Sequence, residues 1–219
     1  MTFSSKWEQR YKENTQMSIW PWSDLVSYVM RYVQPANEQI KILELGCGAG
    51  ANIPFFINRN FSYYGIDGSK TIVNKLKERF PKLKANLAVC DFTEYIPFDE
   101  KFDLVVDRSS LTHSTTAGIK QCLDMVYRKM KNNSRYIGID WFSTSHQDFS
   151  MKVRKVDRYT RTGFTTGQFA NVGQVHFSNK SHLQKLFNRF EIVVLEHKVI
   201  TSEIPIKKKF AVWNFVAKK

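Results

Sequence analysis

Ile40-Lys41-Ile42-Leu43-Glu44-Leu45-Gly46-Cys47-Gly48-Ala49-Gly50 is the stretch that decides the fold. An apolar strand runs directly into three alternating glycines, a pattern that brings backbone close to a bound nucleotide. A side chain at Gly46 or Gly48 would block that approach or the tight turn, and Gly50 lets the following helix, roughly residues 51–59, pack on the strand. About 20 positions on, the apolar run Tyr63-Tyr64-Gly65-Ile66 ends at Asp67, where a carboxylate is expected to accept both ribose hydroxyls. A further strand, Leu87-Ala88-Val89-Cys90, ends at Asp91-Phe92. Three successive strand ends thus carry glycine-rich backbone, Asp67 and Asp91, all on the edge where ligands bind in an open parallel sheet.

In these residues the chain resembles the class I S-adenosylmethionine-dependent methyltransferases. The matching positions are Glu44-Leu45-Gly46-Cys47-Gly48-Ala49-Gly50, then Asp67, then Asp91-Phe92. The resemblance continues through a fourth strand at 102–107, a fifth at 135–140 and a closing pair near 191–195 and 210–216, so it covers roughly residues 40–219. It implies an α/β fold with a Rossmann-like, doubly wound, seven-stranded sheet, mostly parallel with the last strand antiparallel. It also implies S-adenosyl-L-methionine as cofactor, held by Tyr11, Glu44, Gly46, Cys47, Gly48, Asp67, Gly68, Asp91, Phe92 and Asp107.

A nicotinamide or flavin dinucleotide is the rival ligand, because Gly46-x-Gly48-x-x-Ala51 also satisfies the looser dinucleotide fingerprint. A dehydrogenase usually opens with its fingerprint strand and needs a second mononucleotide half, whereas about 40 residues precede the loop here. Glu44 decides further against it. An anionic pyrophosphate gains nothing from a carboxylate two residues before the loop, while a sulfonium and an ammonium do.

Composition agrees with one compact cytoplasmic domain: 219 residues, 42% hydrophobic and 14% aromatic, suffice to bury a sizeable core. No stretch approaches the roughly 18 uninterrupted apolar residues of a membrane span. Cys47, Cys90 and Cys122 have no CxxC spacing, so neither a disulfide framework nor a zinc site is suggested, and no metal is expected. The formal net charge of +13 invites a nucleic-acid partner, but the basic residues are scattered in short clusters such as Lys75–Lys77, Lys152–Lys155 and Lys207–Lys209. The same field would draw an anionic small molecule.

The acceptor must be read from the loop after the fourth strand, Asp107-Arg108-Ser109-Ser110-Leu111-Thr112-His113. This loop lacks the Asn/Asp-Pro-Pro-aromatic motif of amino-methylating DNA enzymes and the cysteine nucleophile of cytosine C5 methylation. Partners for a ribose 2'-O tetrad and the two-glutamate loop of arginine methylation are missing too. Methylating a hydroxyl needs a base, and His113 has a suitable unperturbed pKa; the alternative is a residue that packs the next helix. Asp140 and His146 around the fifth strand end are further base candidates, and Trp141 is a stacking surface or core. Arg108, Trp141, Arg154, Arg158 and Tyr159 are the candidate substrate-binding residues. An insertion at about 143–175 is expected to cap the acceptor cleft, its arginines offering planar forks to a carboxylate or phosphate.

Residues 1–39 resemble the helical entry of small-molecule methyltransferases, with Trp7 and Tyr11 on one helical face as a lid. Ser23 or Asp24 is expected to cap the next helix, and Ser178 the helix at 180–187. The resulting expectation is methyl transfer to a hydroxyl or amine of a small molecule, such as a carbohydrate or acidic metabolite. RNA methylation and a non-catalytic cofactor-binding scaffold are the alternatives, and the oligomeric state is left open.

Overall fold

In a computed structural model of the chain, residues 5–33 and 39–219 are described. Five strands, β1 (Lys41–Leu45), β2 (Ser62–Asp67), β3 (Leu87–Val89), β4 (Phe102–Arg108) and β5 (Met130–Phe142), join β9 (Glu191–Ser202) and β10 (Lys208–Lys218) in one sheet. Its order is β3-β2-β1-β4-β5-β10-β9. The pairs among β1 to β5 are all parallel, and β10 runs antiparallel to both β5 and β9. Strand order therefore reverses between β1 and β4, which opens a crevice beyond their carboxyl ends.

Both faces of this sheet are covered, which is why its central strands read as nearly continuous apolar runs. Successive side chains along β1 alternate between two cores. Ile42 joins α2 (Ser23–Tyr32), α3 (Ile53–Asn58) and α4 (Lys70–Arg79) through Leu25, Phe56 and Val73, whereas Leu43 and Leu45 join α5 (Thr116–Lys129) and α6 (Lys180–Leu186) through Ile119, Leu123 and Leu183. A helix α1 (Ser5–Lys12) packs across α4.

Between β5 and α6 the chain builds a small antiparallel sheet, β6 (Arg154–Lys155), β7 (Thr160–Thr162) and β8 (Gln174–His176), over a third core. Phe142, Phe164, Phe169, Val175 and Phe177 fill it. Among the described residues, no helix is long and apolar enough to cross a membrane.

Two expected helix caps fall elsewhere. Asn179, not Ser178, caps α6 by accepting from the His182 N–H at 2.8 Å. Ser178 is engaged in backbone pairing instead: its N–H reaches the Phe142 carbonyl and its carbonyl accepts from the Trp213 indole. At α2 the N-cap is Trp22 without a side-chain bond, because Asp24 is drawn away to Lys198 and Asn214. The fifth strand also starts earlier than 135, with an irregularity that lets Met130 pair with Phe102.

Candidate active site

A cavity of about 370 Å³ lies where the strand order reverses. Its floor is the loop after β1. Gly46 has a φ of +66°, and a Cβ there would lie 2.1 Å from the Ser110 hydroxyl, so only glycine lets the loop after β4 close against it. Gly48, at φ +50°, sits directly under the Tyr11 hydroxyl, and its N–H donates to Asp67 Oδ2 at 3.0 Å.

Three strand ends supply carboxylates to this region. Glu44 accepts from Asn52 Nδ2 at 2.7 Å and the Tyr63 hydroxyl at 2.5 Å; burial pushes it up to about 7 despite those bonds, and the charges of Asp107 and Asp67 add to the shift. Asp67 accepts from the Ser69 and Gly48 N–H groups, and burial raises it to about 6. Burial likewise lifts Asp107 to about 6 against the amides of Ser110 and Leu111, which donate to its Oδ1. A cluster of buried acids that resist ionisation is an environment that favours a bound cation.

Of the residues expected to hold the cofactor, Tyr11, Glu44, Gly46, Cys47, Gly48, Asp67, Gly68, Asp91 and Phe92 all line the cavity. Asp91 turns Oδ1 to the Thr93 N–H and hydroxyl, which fixes the loop after β3. Cys47 is buried and its thiol is raised well above the usual value by burial, so it is no nucleophile. Asp107 does not line the cavity. Its carboxylate is spent on the loop after β4, with the Tyr136 hydroxyl 3.4 Å from Oδ2.

Helix α1 closes the cavity from above. Glu8 accepts from the hydroxyls of Ser69 and Thr71 at 2.5 and 2.6 Å, Lys75 bonds the Tyr11 carbonyl, and Arg10 bonds the Ala170 carbonyl across the small sheet's loop. Trp7 then meets the His113 ring edge-on at 4.9 Å between centroids. Aromatic side chains make up much of the rest of the lining: Trp7, Trp22, Phe142, Phe169 and Phe210.

Two non-glycine residues at adjacent strand ends, Ser109 (φ 55°) and Asp140 (φ 56°), adopt left-handed backbone. Each costs about 1–2 kcal/mol, and they are stitched together: the Ser109 N–H donates to the Ile139 carbonyl and its hydroxyl to that of Asp140. This arrangement aims Arg108 and Asp140 into the cavity, where Arg108 Nη2 lies 2.9 Å from Asp140 Oδ2 and the guanidinium stacks 3.5 Å over Trp22.

The three base candidates separate. His113 lines the cavity, and its Nδ1 lies 3.2 Å from the Gln174 carbonyl. A carbonyl only accepts, so the proton of the neutral ring belongs on Nδ1 and the lone pair on Nε2. Burial lowers this imidazole to about 4, with the nearby Arg10 charge contributing, so the ring is neutral at physiological pH. Asp140 also lines the cavity but is engaged by Arg108. His146 does not: it is buried among Phe142, Phe169, Phe177 and Phe210, and its Nδ1 accepts from the Asp148 N–H to cap a short turn.

The expected acceptor residues are mostly displaced from the cavity. Trp141 lies between Asp140 and Phe142 on β5 and alternation turns it to the opposite face, fully buried against Phe187 and Phe215. Arg154 and Arg158 are exposed, and Tyr159 stacks on His182 with ring centroids 3.6 Å apart, so none of the three lines the cavity. Arg108 alone of that group does. Asn52, Ser109, Gln168, Val172 and Phe210 line it without having been anticipated; the alternation that exposes Asp140 would also have pointed to Phe142.

Residues 42–133 match a family model described as a methyltransferase domain. A search of curated proteins finds no match. Among solved structures, the fold is similar to a SAM-dependent methyltransferase from Methanosarcina mazei, with a TM-score of 0.66 and 19% identity over 87% of this chain and 96% of that one. A S-adenosylmethionine-dependent methyltransferase from Clostridium acetobutylicum aligns with a TM-score of 0.64 and 13% identity over 97% and 95%. The glycopeptide N-methyltransferase MtfA, solved with S-adenosyl-L-methionine, aligns at 0.61 and 11% over 90% and 93%.

Proposed function

We propose that the chain, whose residues 42–133 match a methyltransferase-domain model, is a class I S-adenosylmethionine-dependent methyltransferase that methylates a hydroxyl or amine of a small molecule, with His113 as general base. The observation that carries this reading is that His113, whose Nδ1 is engaged by the Gln174 carbonyl so that Nε2 is left with the lone pair, lines the same cavity as Gly46 and Gly48. S-adenosylmethionine, when bound, supplies an electrophilic methyl on a cationic sulfur. The residues present fit such a cation, since Glu44 and Asp67 are buried acids facing this cavity with raised pKa values.

Each role rests on placement. Asp67 would accept the ribose hydroxyls, Asp91 and Phe92 would border the base, and Glu44, beside the glycines, would meet the cationic end. Tyr11 and Trp7 would screen a bound cofactor and acceptor from water on the α1 side of the cavity. His113 Nε2 takes the acceptor's proton, while Nδ1–H stays on the Gln174 carbonyl and fixes the ring's orientation.

The acceptor end pairs aromatic walls with one internally neutralised ion pair, Arg108–Asp140. That chemistry suits a neutral or amphipathic hydroxylated molecule better than a polyanion, because the arginines expected to grip a phosphate lie outside. The insertion at about 143–175 contributes Gln168, Phe169 and Val172 and so acts as the cap over this end. Transfer of labelled methyl to a panel of hydroxylated and amine acceptors, with wild type and His113→Ala, tests the reading. Loss of transfer with cofactor affinity retained supports it; equal transfer by both proteins removes His113 as base.

A further inference from the structure

The tip of the hairpin between β9 and β10 carries Ile204, 88% exposed, and Ile206, 63% exposed. Buried, each would contribute about 1.5–3 kcal/mol that its exposure forgoes, and nothing in the fold accounts for two such side chains on a protruding loop. Immediately after them come Lys207, Lys208 and Lys209, all exposed. The one acid of the segment, Glu203, is paired with Lys207 at 3.5 Å, so the tip stays basic. A second exposed apolar residue, Trp20 at 76%, stands between Ser18 and Trp22, both of which line the cavity; Phe210, four residues beyond Ile206, lines it as well. Both apolar features are therefore joined by short stretches of chain to residues that line the cavity.

We propose that the hairpin tip and Trp20 dock on an anionic lipid bilayer, Ile204, Ile206 and Trp20 entering the interface while the three lysines engage lipid headgroups. Branched aliphatic residues backed by a lysine run match an apolar layer beneath a negative surface. A tryptophan suits the boundary between the two. Nucleic acid would offer nothing to the isoleucines, since bases are gripped by aromatic and arginine planes. The net charge of +13 acts in the same direction as the lysines. Docking of this kind is independent of methyl transfer, and its test uses neither cofactor nor acceptor.

Flotation of the purified full chain with vesicles of phosphatidylcholine alone, and of an equal mixture with phosphatidylserine, is the experiment. The expected result is flotation with the mixed vesicles only, reversed by high salt. Ile204→Ser with Ile206→Ser should weaken partitioning about tenfold or more. Lys207→Gln, Lys208→Gln and Lys209→Gln together should weaken it about a hundredfold. Both variants should melt at the wild-type temperature, because the tip residues are exposed. No flotation with mixed vesicles, or flotation unchanged in both variants, overturns the proposal. So does a concentration-dependent dimer that the isoleucine variant abolishes, which would give the patch to a second copy. Tight binding of a single-stranded RNA by the lysine tip without vesicle binding overturns it as well.

Discussion

Replacing Glu44 by Gln should nearly flatten a pH dependence that the wild-type protein shows in its affinity for S-adenosylmethionine. In the free cavity Glu44 titrates at about 7 and Asp67 at about 6, both because burial disfavours their charged forms. A cationic ligand binds best when both are ionised, so affinity scales with the product of their ionised fractions. Near pH 7.5 that product is about 0.7, and near pH 6 about 0.05, which predicts about 15-fold weaker binding at the lower pH, or about 1.6 kcal/mol. Because both values are raised, the free protein holds protons that the complex does not, so binding releases them and weakens as pH falls through 7 towards 6. Glu44→Gln keeps an oxygen for the Tyr63 hydroxyl and leaves only the Asp67 contribution, about twofold over the same range. Calorimetric titration near both pH values, in buffers of different ionisation enthalpy, reads affinity and proton release together. Equal wild-type affinity at the two pH values, or an identical slope in the variant, would refute the idea that ionised Glu44 and Asp67 hold the cofactor, Glu44 towards its cationic end and Asp67 at its ribose.

His113→Ala should lower methyl transfer by about 10²–10⁴-fold while changing cofactor affinity only a few-fold, measured by single-turnover transfer and titration. Gly46→Ala should abolish cofactor binding and lower the melting temperature, since its Cβ meets the Ser110 hydroxyl at 2.1 Å and its backbone is left-handed; normal binding by this variant would contradict the closeness of the two loops. Trp141→Ala should cost about 3–5 kcal/mol in denaturant unfolding, as for a large buried aromatic, and leave acceptor preference unchanged. His176, 1% exposed, is lowered to about 3 by burial, with the neighbouring His182 charge adding to the effect. Its neutral form is favoured only in the folded state, so its contribution to stability is present above about pH 6.5 and lost as pH falls from there towards about 3. His176→Gln should shallow the acid limb of a stability-against-pH curve.

The side of the cavity built around the glycine loop was legible because it depends on spacing along single strands and loops. The glycines, Asp67 and Asp91 each sit at a strand end, and the doubly wound sheet carries all such ends to one edge. The rest of the cavity wall was less legible, because it depends on which way a side chain faces and what a loop folds against. Asp140 and Trp141 are neighbours in sequence, yet β5 turns one to the cavity and the other to the core. Arg154 and Arg158 look like anion ligands in a basic run, but the small antiparallel sheet leaves them in solvent. Nothing local separates His113 from His146 either. One meets the Gln174 carbonyl, more than sixty residues away, and the other falls into an aromatic nest built from three distant segments.

A crystal structure with S-adenosylhomocysteine tests cofactor placement most directly. Ribose hydroxyls on the Asp67 carboxylate, the adenine beside Asp91 and Phe92, and the amino acid end beneath Tyr11 near Glu44 are the expected result. A nucleoside bound elsewhere, or ribose hydroxyls that make no contact with Asp67, would contradict it.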